Sequence, residues 1–210
     1  MSLYTPDAFR APDADAVSAL LAAYPFATLI TGVAGGEPCL SHLPLLWEPS
    51  PPPHGTLIGH VAAANPHARA LTAGPSVAVF TGPHCYITPS WYLEPAKMVP
   101  TWNYAAVHAH GTLEVLDEAG KLDCIDRLTA RFESGRVPPW TRQLEGAALE
   151  RMLKAIVAFR MPIARLDAKF KMSQNRAAVD QAGVIDGLRA HGGHDEVAVA
   201  DWMQAHAPSR

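Results

Sequence analysis

Val99-Pro100-Thr101-Trp102-Asn103-Tyr104-Ala105-Ala106-Val107-His108-Ala109-His110-Gly111 carries a period of two through its second half. Tyr104, Ala106, His108 and His110 fall on one face of an extended chain, and Ala105, Val107 and Ala109 on the other. One face is therefore small and apolar, while the opposite one carries polar aromatics. Trp102, Asn103 and Tyr104 crowd together just after Pro100, which cannot donate to a sheet ladder. Two readings are open for them. One is a strand entering the core with its indole N–H and phenol O–H satisfied locally. The other is a slot for a planar, partly polar ligand, which needs aromatic faces, an amide that both donates and accepts, and hydroxyl or imidazole groups at its edge.

Outward from this strand, further short strands are expected at residues 26–31, 39–47 and 56–61, and at 76–80 and 84–88 with Thr81-Gly82-Pro83 as the turn between them. Residues 101–111 continue to 116 and end in a turn at 117–120. Six or more short strands joined mostly by hairpins close most economically as a small antiparallel barrel, which leaves no exposed edges. Asp13 or Asp15 can cap a first helix carrying Val17, Leu20, Leu21 and Tyr24, and a short helical segment follows Asn65-Pro66. Helices are also expected at 121–132, 145–158, 174–180 and 195–206, and a returning strand at 159–166 with Pro162 placing it at an edge. The fold class is thus α+β.

The chain of 210 residues has 49% hydrophobic and 18% charged residues, as a soluble globular protein has, and fits one domain of ordinary size or a domain with a small appendage. No apolar run approaches a membrane span. Met1 to Arg10 lacks the pattern of a secretory signal, so the cytoplasm is the expected compartment. Cys39, Cys85 and Cys124 are widely spaced and odd in number, which fits a reducing compartment. A net charge of −3 argues against an extended nucleic-acid-binding surface. Gly32, Gly35 and Gly36 form no dinucleotide fingerprint, and no nucleophile elbow or phosphate loop is present.

Lys169-Phe170-Lys171 puts two ammonium groups on one face if extended, and Ser173-Gln174-Asn175-Arg176 reads as a helix start. Free N–H groups at that start, together with Lys169, Lys171 and Arg176, would suit one phosphate; the alternative is an exposed basic turn. His108-Ala109-His110 and the His191 and His194 pair lack further ligands at recognisable spacing, so no metal site is expected.

Five segments, taken together, resemble the PaiB-type family of FMN-binding negative transcriptional regulators. They are Ser41-His42-Leu43-Pro44-Leu45-Leu46, Gly59-His60-Val61-Ala62-Ala63-Ala64-Asn65-Pro66, Gly82-Pro83-His84-Cys85-Tyr86-Ile87-Thr88-Pro89-Ser90-Trp91-Tyr92, residues 99–111, and Lys169-Phe170-Lys171-Met172-Ser173-Gln174-Asn175-Arg176. Met172 stands where a leucine is expected, a volume-conserving exchange. The resemblance implies a split β-barrel like the wider pyridoxamine-phosphate-oxidase-like barrels, homodimeric, with FMN at the subunit interface. It implies a flavin-binding domain over 1–170 and a helical appendage over 171–210. His42, His60, Asn65, Trp102, Asn103 and Tyr104 would serve the ring and ribityl chain, and Lys169, Lys171, Gln174 and Arg176 the phosphate. The alternatives are a flavin-dependent oxidoreductase or flavin reductase, and a haem-handling member of the same barrel class. Regulation rests on the resemblance alone: Asp186, Asp195, Glu196 and Asp201 against Arg189 make the C-terminal helices acidic, so direct DNA contact is expected to be weak.

Overall fold

Phe26–Thr31 (β1) and Cys39–Pro44 (β2) pair as an antiparallel hairpin, from Phe26 opposite Pro44 to Thr31 opposite Cys39. Ala27, Leu29 and Thr31 are buried and their neighbours are not, so β1 buries a single face. The remaining strands are Leu46–Glu48 (β3), Thr56–Ala62 (β4), Ser76–Ile87 (β5), Thr101–Gly111 (β6), Glu114–Val115 (β7) and Ile156–Lys171 (β8). They form an eight-stranded sheet in the order β2-β1-β5-β6-β8-β4-β3, with β7 on β8. Helices are Ala14–Ala23 (α1), His67–Ala70 (α2), Glu118–Glu133 (α3), Gly146–Lys154 (α4), Ala178–His191 (α5) and His194–Ala205 (α6). The architecture is α+β, as the periodicities predict.

This computed structural model describes residues 3–206. The first two residues of the segment read as lacking a secretory signal, and the last four of the expected C-terminal appendage, lie outside the described residues. The chain divides into two compact units. One holds the N-terminal residues to Tyr24, Thr81–Val107 and the chain from Asp167 onward; the other holds Pro25–Phe80 and His108–Leu166. No helix among the described residues is long and apolar enough to cross a membrane.

Five local expectations are corrected. The strand expected at 39–47 is interrupted at Leu45, whose N–H donates to Pro25 instead of the ladder. Thr81-Gly82-Pro83 is no turn, because β5 continues through it as one strand: Gly82 lets Leu20 and Ala105 approach to where a Cβ would lie 2.9 and 3.3 Å from them. The helix expected to reach residue 158 ends at Lys154, because Ile156 to Ala158 pair with Ala62 to His60 of β4. Pro162 is not at an edge: β8 lies between β6 and β4, and Pro162, opposite Thr56, is the last residue of the β4 pairing, where the next ladder bond is made by Ile163 to Gly55. The helix start expected at Ser173 is a turn with Ser173 at φ 62°, and α5 begins only at Ala178. Of the two expected caps, Asp13 or Asp15, it is Asp13 that caps α1, by accepting from Ala16 N–H at 2.7 Å.

In the second unit a chain of polar groups is sealed in the core. Asn65 Nδ2 donates to Ser41 Oγ (3.1 Å), Ser41 Oγ lies 2.9 Å from His67 Nδ1, His67 Nε2 lies 2.9 Å from Thr31 Oγ1, and Thr31 Oγ1 lies 2.8 Å from Ser76 Oγ. Run in one direction, with His67 protonated on Nε2 alone, the chain leaves no hydroxyl idle. A second ring proton would remove the acceptor that Ser41 needs. Burial holds the His67 pKa below the ordinary imidazole value, so the unfolded chain binds that proton more readily than the folded one. Stability is therefore expected to fall as the pH drops from about 6.5 through the folded pKa, and to stay lost below it. His67→Gln should lack this part of the pH dependence. Melting curves of both proteins at pH 7.5 and pH 5 check it; equal slopes would place the titration elsewhere.

Candidate functional site: an aromatic and cationic face on strands β5, β6 and β8

The alternation of β6 decides what this site displays. Asn103, Ala105, Val107 and Ala109 are buried, so Trp102 and Tyr104 look outward, and Trp102 is 54% exposed. A core role for Trp102 is thereby excluded. His84 and Tyr86 of β5 stand beside it, the His84 ring stacked at 6.4 Å and the Tyr86 ring edge-on at 6.2 Å. Sequence reasoning singled out neither, although His84 and Tyr86 have the same every-second-residue spacing as Trp102 and Tyr104.

Three cations adjoin this face in the first unit. Lys169 is 8% exposed, with its ammonium 5.3 Å from the centres of both the Tyr4 and Tyr104 rings. Lys171 donates to the Thr101 hydroxyl and, at 2.8 Å, to the Trp102 carbonyl, which ties the end of β8 to the start of β6. Arg176 lies 5.2 Å above the Tyr92 ring and 3.4 Å from Met98 sulfur. Among the described residues none of these three is paired with a carboxylate. Burial, then Lys169 and Arg176, hold the Lys171 pKa below the usual lysine value. A lysine held low by two neighbouring cations is one that an anion would stabilise in its charged form.

The turn that carries this cluster is held from behind. Asn103, fully buried, donates to Ser173 Oγ at 3.0 Å and accepts from it at 3.2 Å, and its amide also lies 3.5 Å from Met203 sulfur. Ser173 needs that tether because it sits in the left-handed region without being glycine. Gln174 accepts from Met172 N–H at 2.7 Å and donates to the Phe170 carbonyl, so it closes the turn on itself. Trp102, Tyr104, Lys169, Lys171 and Arg176 are thus brought together, while Asn103 and Gln174 support the backbone between them. Trp91 anchors the preceding loop on α5, where a Cβ at Gly187 would lie 2.4 Å from its ring.

His42, His60 and Asn65 belong to the other unit and have local surroundings of their own. His42 is exposed and bonded to Thr28 at 3.0 Å, and Asn65 serves the His67 chain. His60 is half-buried beside α3, its Nδ1 has no hydrogen-bond partner, and burial pushes its pKa down. Cys85 is pushed up to about 12 by burial and by Glu196 and Asp195, and Cys124 to about 11 by burial and Asp123. Both therefore stay thiols at neutral pH, without thiolate chemistry. Among the described residues no three His, Cys, Asp or Glu side chains are grouped to hold a metal ion.

Sheet and site together define a split β-barrel protein whose aromatic, cationic face suits a planar ligand bearing a phosphate. The chain belongs to the family described as "Putative FMN-binding domain", which matches residues 3–165. That match stops short of Lys169. A longer alignment reaches further: the chain is 33% identical over 205 residues to "Protease synthase and sporulation protein PAI 2" of Bacillus subtilis, covering 96% of this chain and 97% of that protein. Among solved structures, the FAD and heme binding protein of Mycobacterium smegmatis superimposes with a TM-score of 0.61 at 20% identity, covering 87% of this chain and 80% of that one. The flavocytochrome Anf3 of Azotobacter vinelandii does so with 0.58 at 19%, covering 75% and 67%. These two likenesses establish the fold.

Proposed function

We propose that this protein is a cytoplasmic, homodimeric FMN-binding regulator of the PaiB type. The observation that carries the reading is the cluster of Lys169, Lys171 and Arg176, without carboxylate partners among the described residues, beside the outward-facing Trp102 and Tyr104. One cationic cluster suits one phosphate, hence a mononucleotide. The ring would lie against the aromatic face, and a second copy would bury what that face leaves exposed, including Tyr86 at 48% and Trp102 at 54%. FMN supplies reversible electron and hydride chemistry when bound; this chain's residues hold its phosphate and exclude water from one side of its ring.

Adding FMN to the purified protein is expected to shift the visible flavin bands and quench flavin fluorescence at one equivalent per chain. Light scattering at micromolar concentration is expected to return twice the mass of one chain. Unperturbed flavin bands, or a monomer, would count against the respective half of the reading. Regulation is expected without tight DNA contact, since the C-terminal helices expose Asp186 and Asp201 and the net charge is −3.

A second reading is haem handling, favoured by His60, whose buried Nδ1 lacks a partner. The Mycobacterium smegmatis neighbour is a FAD and heme binding protein. A Soret shift on adding haemin, lost in His60→Ala, would support it. Oxidation of NADH or NADPH by the FMN-loaded protein would instead make it a flavin-dependent reductase.

A further inference from the structure

On the opposite face of the same strands lies a second recess, walled within the first unit by α1 and α6. Its volume is about 610 Å³, within the range of small-molecule sites. Ala16, Ala19 and Leu20 of α1 form one side, and Ala105 and Phe170 the floor. Phe170 comes between Lys169 and Lys171 in an extended segment, so it looks away from the cationic face. The other side is a stack of rings, with Phe170 and Trp202 5.4 Å apart at 27° and Trp202 and His206 4.1 Å apart at 15°. The small side chains of α1 leave the space open, and the stack offers electron-rich ring surface to it.

The recess is also electrically one-sided. Asp13, Asp15 and Asp201 line it, and no lysine or arginine does. Asp13 is engaged by the N-terminus of α1 and Asp201 by Arg189 at 3.3 Å, whereas Asp15 has no ion-pair partner among the described residues. An anion such as a flavin phosphate would be repelled here. A cation with an apolar body finds ring faces, an alkyl wall and carboxylates in one place.

We propose that the recess between α1 and α6 binds a small organic cation, an amine carried on an aromatic or alicyclic body, at a site separate from the cationic face. The amine sits toward Asp15 and Asp201 and the body lies against Trp202 and Phe170. Nothing in this assignment depends on flavin binding.

Calorimetry on the full chain without flavin tests it with three probes of one shape: 4-phenylbutylamine, 4-phenylbutanol and 4-phenylbutyrate. The amine is expected to bind about tenfold or more tightly than the carboxylate, with the alcohol between them. Asp15→Asn combined with Asp201→Asn should weaken the amine by about fivefold. Ala19 is exposed on α1, where leucine is a good helix former, so Ala19→Leu fills the recess without disturbing the core. It should abolish amine binding while FMN binding and the melting temperature stay as in the parent. Equal binding of all three probes, or undiminished amine binding by Ala19→Leu, would overturn the proposal. So would a parent that binds no amine and an Ala19→Leu variant that changes oligomeric mass, since the recess would then be covered by a second copy.

Discussion

Replacing Lys171 and Arg176 together by alanine is expected to weaken FMN by about two to three orders of magnitude and to leave riboflavin nearly unchanged. Each side chain would contribute a charge-assisted hydrogen bond to phosphate, at about 1.5 to 3 kcal/mol apiece, and riboflavin has no phosphate to lose. The two losses are not fully additive, because Lys169 remains to hold part of the charge. Trp102→Ala should act differently, weakening both ligands alike by removing apolar contact area. Burial and its cationic neighbours hold the Lys171 pKa low, so its charge is lost at a lower pH than an ordinary lysine's. FMN affinity should accordingly begin to fall with rising pH earlier than lysine's reference value implies, and this early fall should be missing in Lys171→Ala. Fluorescence-quenching titrations with both flavins across pH measure all of this. If the double variant loses riboflavin as much as FMN, the cluster serves the fold or the ring, and the phosphate assignment fails.

Asn103→Leu is expected to cost about 2 to 4 kcal/mol of stability, although leucine has the same branched, four-atom side-chain skeleton as asparagine. The substitution leaves the buried Ser173 hydroxyl without its partner and a non-glycine residue in the left-handed region without its tether. Ser173→Gly should be milder, since glycine accepts φ 62° freely even though Asn103 loses one partner. Urea melts of the two variants order them. A milder loss for Asn103→Leu than for Ser173→Gly would mean that the turn is held by something else. Because Arg176 follows this turn directly and its N–H bonds the Ser173 carbonyl at 2.9 Å, Asn103→Leu should also weaken FMN more than riboflavin.

Much of this was legible along the chain. The period of two in residues 104–110 foretells which residues of β6 are buried, because alternation is a local property of an extended backbone and burial follows it. Asp13 and Asp15 bracket the start of α1 for the same reason, since a cap needs only the next three residues, and Asp13 is the one that caps it. The cationic segment is also visible as such, because lysines two apart on a strand share a face wherever that strand lies.

Other features were settled by contacts far apart in sequence. Asn103 looks like a ligand amide beside Trp102 and Tyr104, and only its pairing with Ser173, 70 residues away, makes it a support of the turn. His67 is unremarked in the sequence, and three hydroxyl-bearing residues from three strands turn it into the centre of a buried polar chain. Gly82 and Pro83 carry every local sign of a turn, yet β5 continues through them as one strand, with Leu20 and Ala105 close against Gly82. By itself, then, the sequence determined strand faces, the capped start of α1 and the location of the basic cluster, all of which depend on neighbours within a few residues. The tertiary structure alone decided where strands pass through apparent breaks and which polar groups serve the core, because both depend on what the rest of the chain packs against them.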